Sequence, residues 1–591
     1  MPPLRDELLD VPSIGKSLAT DLHDLGIHSI RQLARRDPER MYRQLMTIRQ
    51  SYQDPCVLYS FRCAVYYARE RRPEPELLKW WNWKSRKLGA RGPVLLTLLL
   101  AVVATGCFAN RASSAPSPRL SLTSAVDSMV ADPKFRSAEL GILIVDPERG
   151  DTLYSHNAGK LFMPASNQKL LTGAVALQAL GADFRFSTTF ATRASVSNGT
   201  LDGDLLVMGT GDPSVSDHMR GDAMSVFTSV ADSLATRGIH RIGGRLVSAL
   251  DAFPDATLGF GWAWDDLDYS YAAGIDELYL NEGFARVVAR GGERPGDPVQ
   301  VTTLPARTYP SVRVMAKTTG VVRSTLSLMQ DSSDAGRVVL TGAIAPGATD
   351  TLEISFRDQA AAYLTALREG LTARGIVVDG GIQGRLDSSS VGPADSRGVP
   401  AGGSTPLFSM VSPPLSEIMR AFEKPSQNQI GEILFKTIGR SRTGSGTADS
   451  ARAAMRAQLL AWGALPDGFV IRDGSGLSRH NVVTPETIAK VLDTMQRSPN
   501  FSVFYDALPV AGIDGTVSNR MRGTPAQGNV HAKTGSLDMV RSLSGYVTTA
   551  DGHRLIAVIL ANNWTVPVRE VERLQDSIMV KLAGMRLAGG H

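Results

Sequence analysis

Apolar residues along this chain follow several patterns, and each pattern predicts a different element. Residues 170–177, Leu-Leu-Thr-Gly-Ala-Val-Ala-Leu, form a run of small and apolar residues that predicts a buried helix. Two β-rich runs, 542–549 and 554–561, are separated by an Asp-Gly turn at 550–553, which predicts a hairpin. Residues 568–587 carry apolar side chains at helical spacing, so we expect a helix packed on this sheet.

Further strands are predicted before this hairpin and in the middle of the chain. Residues 529–536 form a third β-rich run, directly before the hairpin. Between about residues 190 and 404 the sequence is rich in Gly and Thr, with short alternating runs at 203–208 and 337–341. Alternation of this kind predicts mostly β structure. An antiparallel sheet with helices packed against it indicates an α+β fold.

Candidate chemistry lies at the start of the predicted buried helix, where Ser166 and Lys169 stand three residues apart. Residues at this spacing share a helix face, so the Lys169 amine can reach the Ser166 hydroxyl. A serine becomes a good nucleophile when a base takes its proton, and a desolvated lysine can be that base. The helix N-terminus adds partial positive charge where an oxyanion would form. The pair therefore predicts an acyl-serine enzyme.

Two further motifs make this interpretation specific, because Ser-x-x-Lys alone arises by chance and Ser13–Lys16 matches it too. Residues 426–428, Ser-Gln-Asn, form a Ser-x-Asn, and residues 533–535 form a Lys-Thr-Gly. Partial copies at 498–500 and 442–444 stand in Ser-, Gly- or Pro-rich segments that indicate loops, and we set them aside. The three motifs in this order are the signature of penicillin-binding proteins and serine β-lactamases.

From about residue 115 to its C-terminus the chain resembles the low-molecular-mass class C penicillin-binding proteins, the D-alanyl-D-alanine carboxypeptidase/endopeptidases of peptidase family S13. The separation of Lys169 from Ser426 by 257 residues fits this family, in which the gap holds inserted domains. Further matching blocks are 209–213, 262–271, 278–282, 473–479 and 508–516. The resemblance implies a split penicillin-binding/β-lactamase-like transpeptidase domain, interrupted by mostly β inserted domains.

The resemblance also implies catalytic roles for four motif residues. Ser166 would attack the carbonyl of the penultimate D-alanine of a peptidoglycan stem peptide, and Lys169 would take its proton. Ser426 would pass a proton to the leaving group, and Asn428 would hold Lys169 and the substrate amide. Gln427 replaces the aspartate that the family usually has there, and we expect this change to tune substrate fit and leave catalysis intact.

Four residues of the third motif would bind substrate: Lys533, Thr534, Gly535 and Ser536. Lys533 would help to position the terminal carboxylate, and its charge would lower the pKa of Lys169. Thr534 would add a hydroxyl donor. The oxyanion hole would consist of the backbone N–H of Ser166 and one near Ser536.

These residues lead to the hypothesis of a penicillin-inhibited D,D-carboxypeptidase or D,D-endopeptidase, with β-lactams as acylating inhibitors. The alternatives are a serine β-lactamase and a non-catalytic penicillin-binding wall module. The nine His are scattered and no His or Cys cluster has metal-ligand spacing, so neither a metal nor a cofactor is expected. His531 precedes Lys533 by two residues, and we expect it to pack or hydrogen bond at the strand edge.

Residues 94–106 form a mostly apolar run that follows several Lys and Arg residues and precedes Cys107 directly. Its length matches a signal-peptide apolar region and is short of the roughly 20 residues of a spanning helix. Small residues before a cysteine resemble a bacterial lipobox, so Cys107 is predicted to be the lipidated N-terminus of a periplasmic lipoprotein. The mature protein would then lack cysteine, because Cys56 and Cys63 lie upstream.

Residues 8–26 resemble a helix-hairpin-helix, and residues 1–84 resemble the small bacterial Cdd1-like pathogenicity locus domain. Residues 1–92 hold 17 Lys and Arg against 11 Asp and Glu, while the rest of the chain holds 46 against 47. Helix-hairpin-helix loops bind phosphates through backbone N–H groups, so nucleic acid is a subordinate expectation for this segment.

Three explanations of the basic segment are open: a cytoplasmic domain before a short membrane anchor, a gene fused upstream, or a start-site error. We favour the last two. The predicted N-terminal regions are a helix-hairpin-helix-like domain at 1–84, a lipoprotein-type signal segment at 85–107 and a tether at 108–119. The catalytic domain is predicted to be split between residues 120–190 and residues 405–591, with the inserted domains at 191–404 between these two segments.

Overall fold

The computed structural model describes residues 6–49, 55–70, 72–83, 118–334, 336–384 and 403–587. The chain divides into two compact units, Met1–Ala112 and Ser113–His591. The predicted signal segment at 85–107, with Cys107, lies outside the described residues, and so does the predicted tether up to residue 117. Among the residues described, none of the helices has both the length and the apolar character that crossing a bilayer requires.

The first unit consists of short helices around an apolar core of its own. Its helices are α1 (Lys16–Asp24), α2 (Ile30–Leu33), α3 (Pro38–Arg49) and α4 (Pro55–Arg69). Leu22, Leu45 and Phe61 are fully buried in the core that these helices share. Arg62 of α4 forms an ion pair with Glu39 of α3 at 2.9 Å. The small all-α N-terminal domain predicted from the sequence is confirmed.

The second unit combines helices with several β-sheets. Its helices are α5 (Pro118–Val130), α6 (Gln168–Leu180), α7 (Asp217–Arg220), α8 (Met224–Thr236), α9 (Gln359–Ala373), α10 (Leu415–Glu423), α11 (Asn428–Thr443), α12 (Ala448–Ala461), α13 (Pro485–Gln496), α14 (Phe501–Ala507) and α15 (Val568–Gly584). Its strands are β1 (Glu139–Asp146), β2 (Asp151–His156), β3 (Ser187–Thr192), β4 (Val196–Ser197), β5 (Thr200–Leu201), β6 (Leu205–Gly209), β7 (Arg241–Ile242), β8 (Leu246–Ser248), β9 (Phe284–Arg290), β10 (Gln300–Leu304), β11 (Ser311–Val314), β12 (Lys317–Thr318), β13 (Ser327–Gln330), β14 (Arg337–Thr341), β15 (Ala343–Ile344), β16 (Thr349–Ser355), β17 (Val377–Val378), β18 (Ile382–Gln383), β19 (Thr405–Val411), β20 (Phe469–Val470), β21 (Val482–Val483), β22 (His531–Leu537), β23 (Val540–Thr548) and β24 (Arg554–Asn562).

A five-stranded antiparallel sheet with the order β2-β1-β24-β23-β22 forms the centre of this unit. The predicted hairpin is confirmed as β23 and β24, and the predicted C-terminal helix as α15. Alternate residues of β24 enter different cores, since Ile559 packs with α5 and α15 while Val558 packs with α6, α11 and α13. The sheet is therefore covered on both faces, as the α+β prediction requires.

The long segment between the first two motifs begins and ends at neighbouring strands. β3 and β19 pair antiparallel in a second five-stranded sheet, whose order is β18-β8-β6-β3-β19. Short strands between them form the further sheets β10-β9-β16, β11-β14-β13 and β17-β7-β5-β4. Helices α8 and α9 pack against this β structure and share one apolar core with it. Because the chain leaves and re-enters at adjacent strands, the segment can be inserted without separating the two halves of the central sheet.

Candidate active site

The serine of the first motif lies just before a helix, and its lysine lies in the first turn of that helix. Ser166 belongs to a 3-10 turn at Ala165–Asn167 that leads directly into α6. The Lys169 Nζ atom lies 2.9 Å from Ser166 Oγ, as the spacing of the motif predicts. The lysine is fully buried, whereas the serine is partly exposed. The nucleophile is thus accessible from outside while its candidate base is shielded from water.

Two carbonyl groups fix the position of the buried amine. Lys169 Nζ donates to Asn428 Oδ1 at 2.6 Å and to the backbone carbonyl of Ser475 at 2.8 Å. A neutral amine has two N–H bonds and one lone pair. With both N–H bonds directed at these carbonyls, the lone pair is left for the Ser166 hydroxyl, which is the arrangement that a general base requires.

Burial and charge together lower the pKa of Lys169. Its pKa falls to about 7, mainly because burial disfavours the ammonium form and secondly because the charge of Lys533 repels it. The carboxylates of Glu423, Asp473 and Glu432 oppose this shift. A substantial fraction of Lys169 is therefore unprotonated near neutral pH and can accept a proton.

The second motif is positioned by the start of α11. Ser426 adopts a left-handed backbone with φ of 65°, and its N–H donates to the Glu423 carbonyl at 3.2 Å. The Gln427 side chain accepts the N–H of Ile430 at 2.8 Å and so caps the helix. Asn428, the first residue of α11, donates to the Tyr271 carbonyl at 2.8 Å. This bond fixes which end of the Asn428 amide faces Lys169.

The third motif lies on β22, the edge strand of the central sheet. Lys533 is fully buried, and burial lowers its pKa to about 8 while Glu423 raises it. Thr534 donates to the Thr516 hydroxyl at 2.6 Å. A Cβ atom on Gly535 would lie 2.9 Å from the Ser166 nitrogen, so a glycine is needed for the strand to approach the nucleophile this closely.

The same strand edge supplies a candidate oxyanion donor. The N–H of Ala532 donates to the Pro509 carbonyl at 2.9 Å, on the edge of β22 that faces away from β23. Successive N–H groups of a strand alternate between its edges, so the N–H of Ser536 points to this edge as well. Ser536 is exposed and lines the same cleft as Ser166. Ser166 and Ser536, whose N–H groups the sequence suggested as oxyanion donors, therefore line one cleft.

A cleft of about 680 Å³ joins the three motifs. Of the predicted site residues, Ser166, Ser426, Asn428, Thr534 and Ser536 line it, while Lys169 and Lys533 are buried. Further lining residues are Ala263, Asp265, Asp266, Tyr271, Gly476, Leu477, Arg479, Thr516, Leu537 and Asp538. Within the described residues, no group of three or more His, Cys, Asp or Glu side chains is arranged to hold a metal ion.

Several residues of the site were missed by the sequence reasoning. Glu432 lies one helical turn after Asn428 and accepts the N–H of Ser475 at 2.8 Å, which holds the loop whose carbonyl binds Lys169. The pKa of Glu432 is raised to about 8, mainly by burial and then by Asp473. Glu423 was also missed. A signal existed for Ser475 and Tyr271, which lie in matching family blocks, but a buried glutamate has none in sequence alone.

His531 and the rejected motif copy at 442–444 have roles outside the catalytic group. The His531 ring stacks on Tyr505 with 3.9 Å between ring centroids, so the expectation that it packs at the strand edge is confirmed. Arg442 and Thr443, which belong to a rejected motif copy, end helix α11 instead of lying in a loop as we expected. Gly444 then caps that helix with φ of 79°, which explains the glycine without any catalytic role.

Comparison with known proteins gives consistent matches over most of the chain. Residues 122–583 match the model of the D-Ala-D-Ala carboxypeptidase 3 (S13) family, and residues 4–88 match the Pathogenicity locus model. The chain is 32% identical to the D-alanyl-D-alanine carboxypeptidase of Actinomadura sp. (strain R39), covering 87% of this chain and 94% of that protein.

Solved structures agree with this match. Penicillin binding protein 4 (dacB) from Haemophilus influenzae is similar with a TM-score of 0.66 and 25% identity, covering 78% of this chain and 99% of that one. A structure of the same H. influenzae protein complexed with a β-lactam has a TM-score of 0.62 and 24% identity, with the same two coverages.

Proposed function

The chain belongs to the D-Ala-D-Ala carboxypeptidase 3 (S13) family and is a serine-type hydrolase of that class, and we propose that Ser166 is its nucleophile. The resemblance seen in the three motifs is thereby confirmed. The observation that carries the proposal is the buried Lys169 amine, 2.9 Å from Ser166 Oγ and held by two carbonyl oxygens. The substrate is the D-Ala-D-Ala end of a peptidoglycan stem peptide.

The first half of the reaction forms an acyl-enzyme. Ser166 Oγ attacks the carbonyl carbon of the penultimate D-alanine, and its proton moves to Lys169 Nζ. The oxyanion accepts hydrogen bonds from the N–H groups of Ser166 and Ser536. The C–N bond then breaks, and the departing amine takes, through Ser426, the proton that Lys169 accepted from Ser166, which leaves Lys169 neutral again. The products are an ester on Ser166 and the free terminal D-alanine.

The second half consumes water and restores the enzyme. Lys169 takes a proton from a water molecule whose oxygen attacks the ester carbonyl. The C–O bond to Ser166 breaks, and Lys169 gives the proton it took from water to Ser166 Oγ, which releases the stem peptide with a free carboxyl group. Thr534 lines the cleft and binds the substrate carboxylate before the first half, while the buried ammonium group of Lys533 attracts that carboxylate through its charge, so the charged form of Lys533 is the binding form. Gly535 allows β22 to lie against the turn that carries Ser166.

β-Lactams should acylate the same serine, since a β-lactam offers a carboxylate and a strained amide in the places of the substrate groups. The decisive experiment is the intact mass of the full chain after incubation with benzylpenicillin, followed by peptide mapping. We expect one penicilloyl adduct on Ser166 and none in Ser166→Ala. Consumption of penicillin without an adduct would indicate a β-lactamase, and intact penicillin without an adduct would indicate a binding module.

The protein acts in the cell envelope, and we propose that a lipid on Cys107 anchors it there. The support is sequence alone: basic residues, the apolar run at 94–106 and then the cysteine. The mature protein would begin at Cys107. The proposed tether would follow, and then the split catalytic domain at 120–190 and 405–591. Native protein whose mass begins at lipidated Cys107 is the expected result. A full-length species in the membrane fraction would contradict it.

For residues 1–84, cytoplasmic if translated, we propose phosphate contact with nucleic acid as a subordinate function. The support is the excess of basic residues and the start of α1, where Gly15 leaves the first helical N–H groups without a side-chain cap. Fluorescence anisotropy of the full chain with a labelled DNA duplex tests this. Binding that weakens steeply with salt is expected. No binding at low salt would remove this function.

A further inference from the structure

A buried carboxylate beneath the cleft takes no part in the mechanism described above. Glu423 ends helix α10 and is completely buried. Within the described residues, neither of its carboxylate oxygens has a hydrogen-bond partner. A buried carboxylate is stable only when hydrogen bonds or opposite charges replace its lost hydration. Since hydrogen bonds are missing, only a nearby positive charge can keep this carboxylate ionised against the effect of burial.

The backbone and helix contacts place this carboxylate against the catalytic helix. A Cβ atom on Gly173 of α6 would lie 3.0 Å from Glu423 Oε1, so this glycine leaves room for the carboxylate. Gly173 is four residues after Lys169, and residues at that spacing share a helix face. The Glu423 carbonyl also accepts the N–H of Ser426. Glu423 thus packs against the helix of the first motif and accepts a hydrogen bond from Ser426 of the second motif.

The charges of two fully buried lysines act on Glu423: Lys169 of α6, and Lys533 of β22, whose Nζ donates to the Thr534 carbonyl at 3.2 Å. Burial raises the pKa of Glu423 to about 7, and Lys533 lowers it more than Lys169 does. For Lys533 the dominant influence after burial is Glu423, which raises its pKa. The other nearby carboxylates, Asp473 and Glu432, act on Lys169 instead.

We propose that Glu423 is the buried counter-ion of Lys533 and acts as a positioning residue. It keeps the positive charge of the two-lysine pair on Lys533, where that charge attracts the substrate carboxylate in the cleft. Lys169 is then left neutral and able to take the Ser166 proton. Glu423 raises the pKa of both lysines, and because two neighbouring ammonium groups repel each other, the lysine that stays charged disfavours the charge on the other. This inference rests on the roles proposed above for Ser166, Lys169 and Lys533.

The test is the pH dependence of acylation by benzylpenicillin in Glu423→Gln. The rate constant should fall on the acid side as Lys169 becomes protonated and on the alkaline side as Lys533 loses its proton. Removal of the counter-ion lowers the pKa of Lys533, so the alkaline limb should move to lower pH by about one unit or more. The acid limb should move less, because loss of Glu423 and loss of the Lys533 charge affect Lys169 in opposite directions.

Glu417→Gln is the matched control, since it makes the same chemical change at an exposed position of the same helix. Its profile should equal that of the wild type. Glu423→Met, uncharged and of similar size, gives a second measurement if the glutamine amide disturbs folding. In Glu423→Asp the alkaline limb should stay close to its wild-type pH, because aspartate retains the negative charge.

The outcomes separate this inference from the proposed function. An alkaline limb that stays at the wild-type pH in folded Glu423→Gln and Glu423→Met would overturn the counter-ion role, even if the rate fell uniformly. Failure of benzylpenicillin to label Ser166 in the wild-type chain would overturn the proposed function first, and the inference with it. A shifted limb in both variants, with Glu417→Gln unchanged, supports both.

Discussion

At the scale of single residues, the chemistry of the site depends on the protonation of Lys169. The folded-state pKa of this lysine is lowered to about 7, so the neutral form predominates above that pH and is lost below it. We predict that the second-order rate constant for acylation falls about tenfold per pH unit below 7. Stopped-flow acylation between pH 5 and 8 measures this, and a rate that is flat down to pH 5 would contradict it.

A second prediction at this scale concerns the glycine of the third motif. In Gly535→Ala the new Cβ would lie 2.1 Å from Ser542 Oγ and 2.6 Å from the Pro164 carbonyl, so β22 must move away from the turn that holds Ser166. We expect penicillin acylation to slow by about 100-fold or more, the effect of a misplacement near 1 Å.

The control for this substitution is Gly381→Ala, where a Cβ would meet no atom within 4 Å. That variant should acylate at the wild-type rate. An equal loss in both variants would mean that the close approach of β22 to Ser166 has no special importance.

At the scale of elements, the middle motif shows how a helix end positions a catalytic amide. Gln427 caps α11 and faces Gln429, with 2.6 Å between their side chains, while Asn428 faces Lys169. The substitution of the usual aspartate is therefore explained, because glutamine performs the capping that aspartate does well. Gln427 supplies the helix cap and the adjacent Asn428 contacts Lys169, because their side chains point in different directions.

Because Gln427 acts as the helix cap, two substitutions at this position should have different effects on stability. Gln427→Ala should lower the free energy of unfolding by about 1 kcal/mol through loss of the cap. Gln427→Asp should restore most of that loss, since aspartate is a preferred capping residue. Urea denaturation of both variants measures the difference. Equal stability of the two would show that the Ile430 N–H bond contributes little.

At the scale of the whole molecule, the chain contains two compact units with separate apolar cores. We predict two transitions in calorimetry of the full chain, the smaller from Met1–Ala112. Covalent acylation by benzylpenicillin should raise only the larger one, because Ser166 lies in Ser113–His591. A single transition, or a shift of both by the adduct, would mean that the units unfold together.

The sequence by itself determined the elements and the reactive groups of this protein. Periodicity is a local property, so the hairpin of β23 and β24, helix α15 and the contact between Ser166 and Lys169 were predictable from residue spacing. The three motifs, the 257-residue gap between the first two and the further matching blocks indicated the family, and the predicted sheet and helices indicated the α+β fold. Gly535 could be named as a motif residue, although the reason for the glycine became clear only from its neighbours.

Only the tertiary structure decided how these groups are tuned. Lys169 meets Asn428 across 259 positions of sequence and Ser475 across 306, and such pairs depend on packing of distant segments. Burial, which lowers the pKa of both Lys169 and Lys533, is likewise a property of the folded chain. Glu423 shows this most clearly. Nothing in its local sequence distinguishes it from a surface glutamate, and its influence arises because α10 brings it beneath the cleft, where water cannot screen its charge.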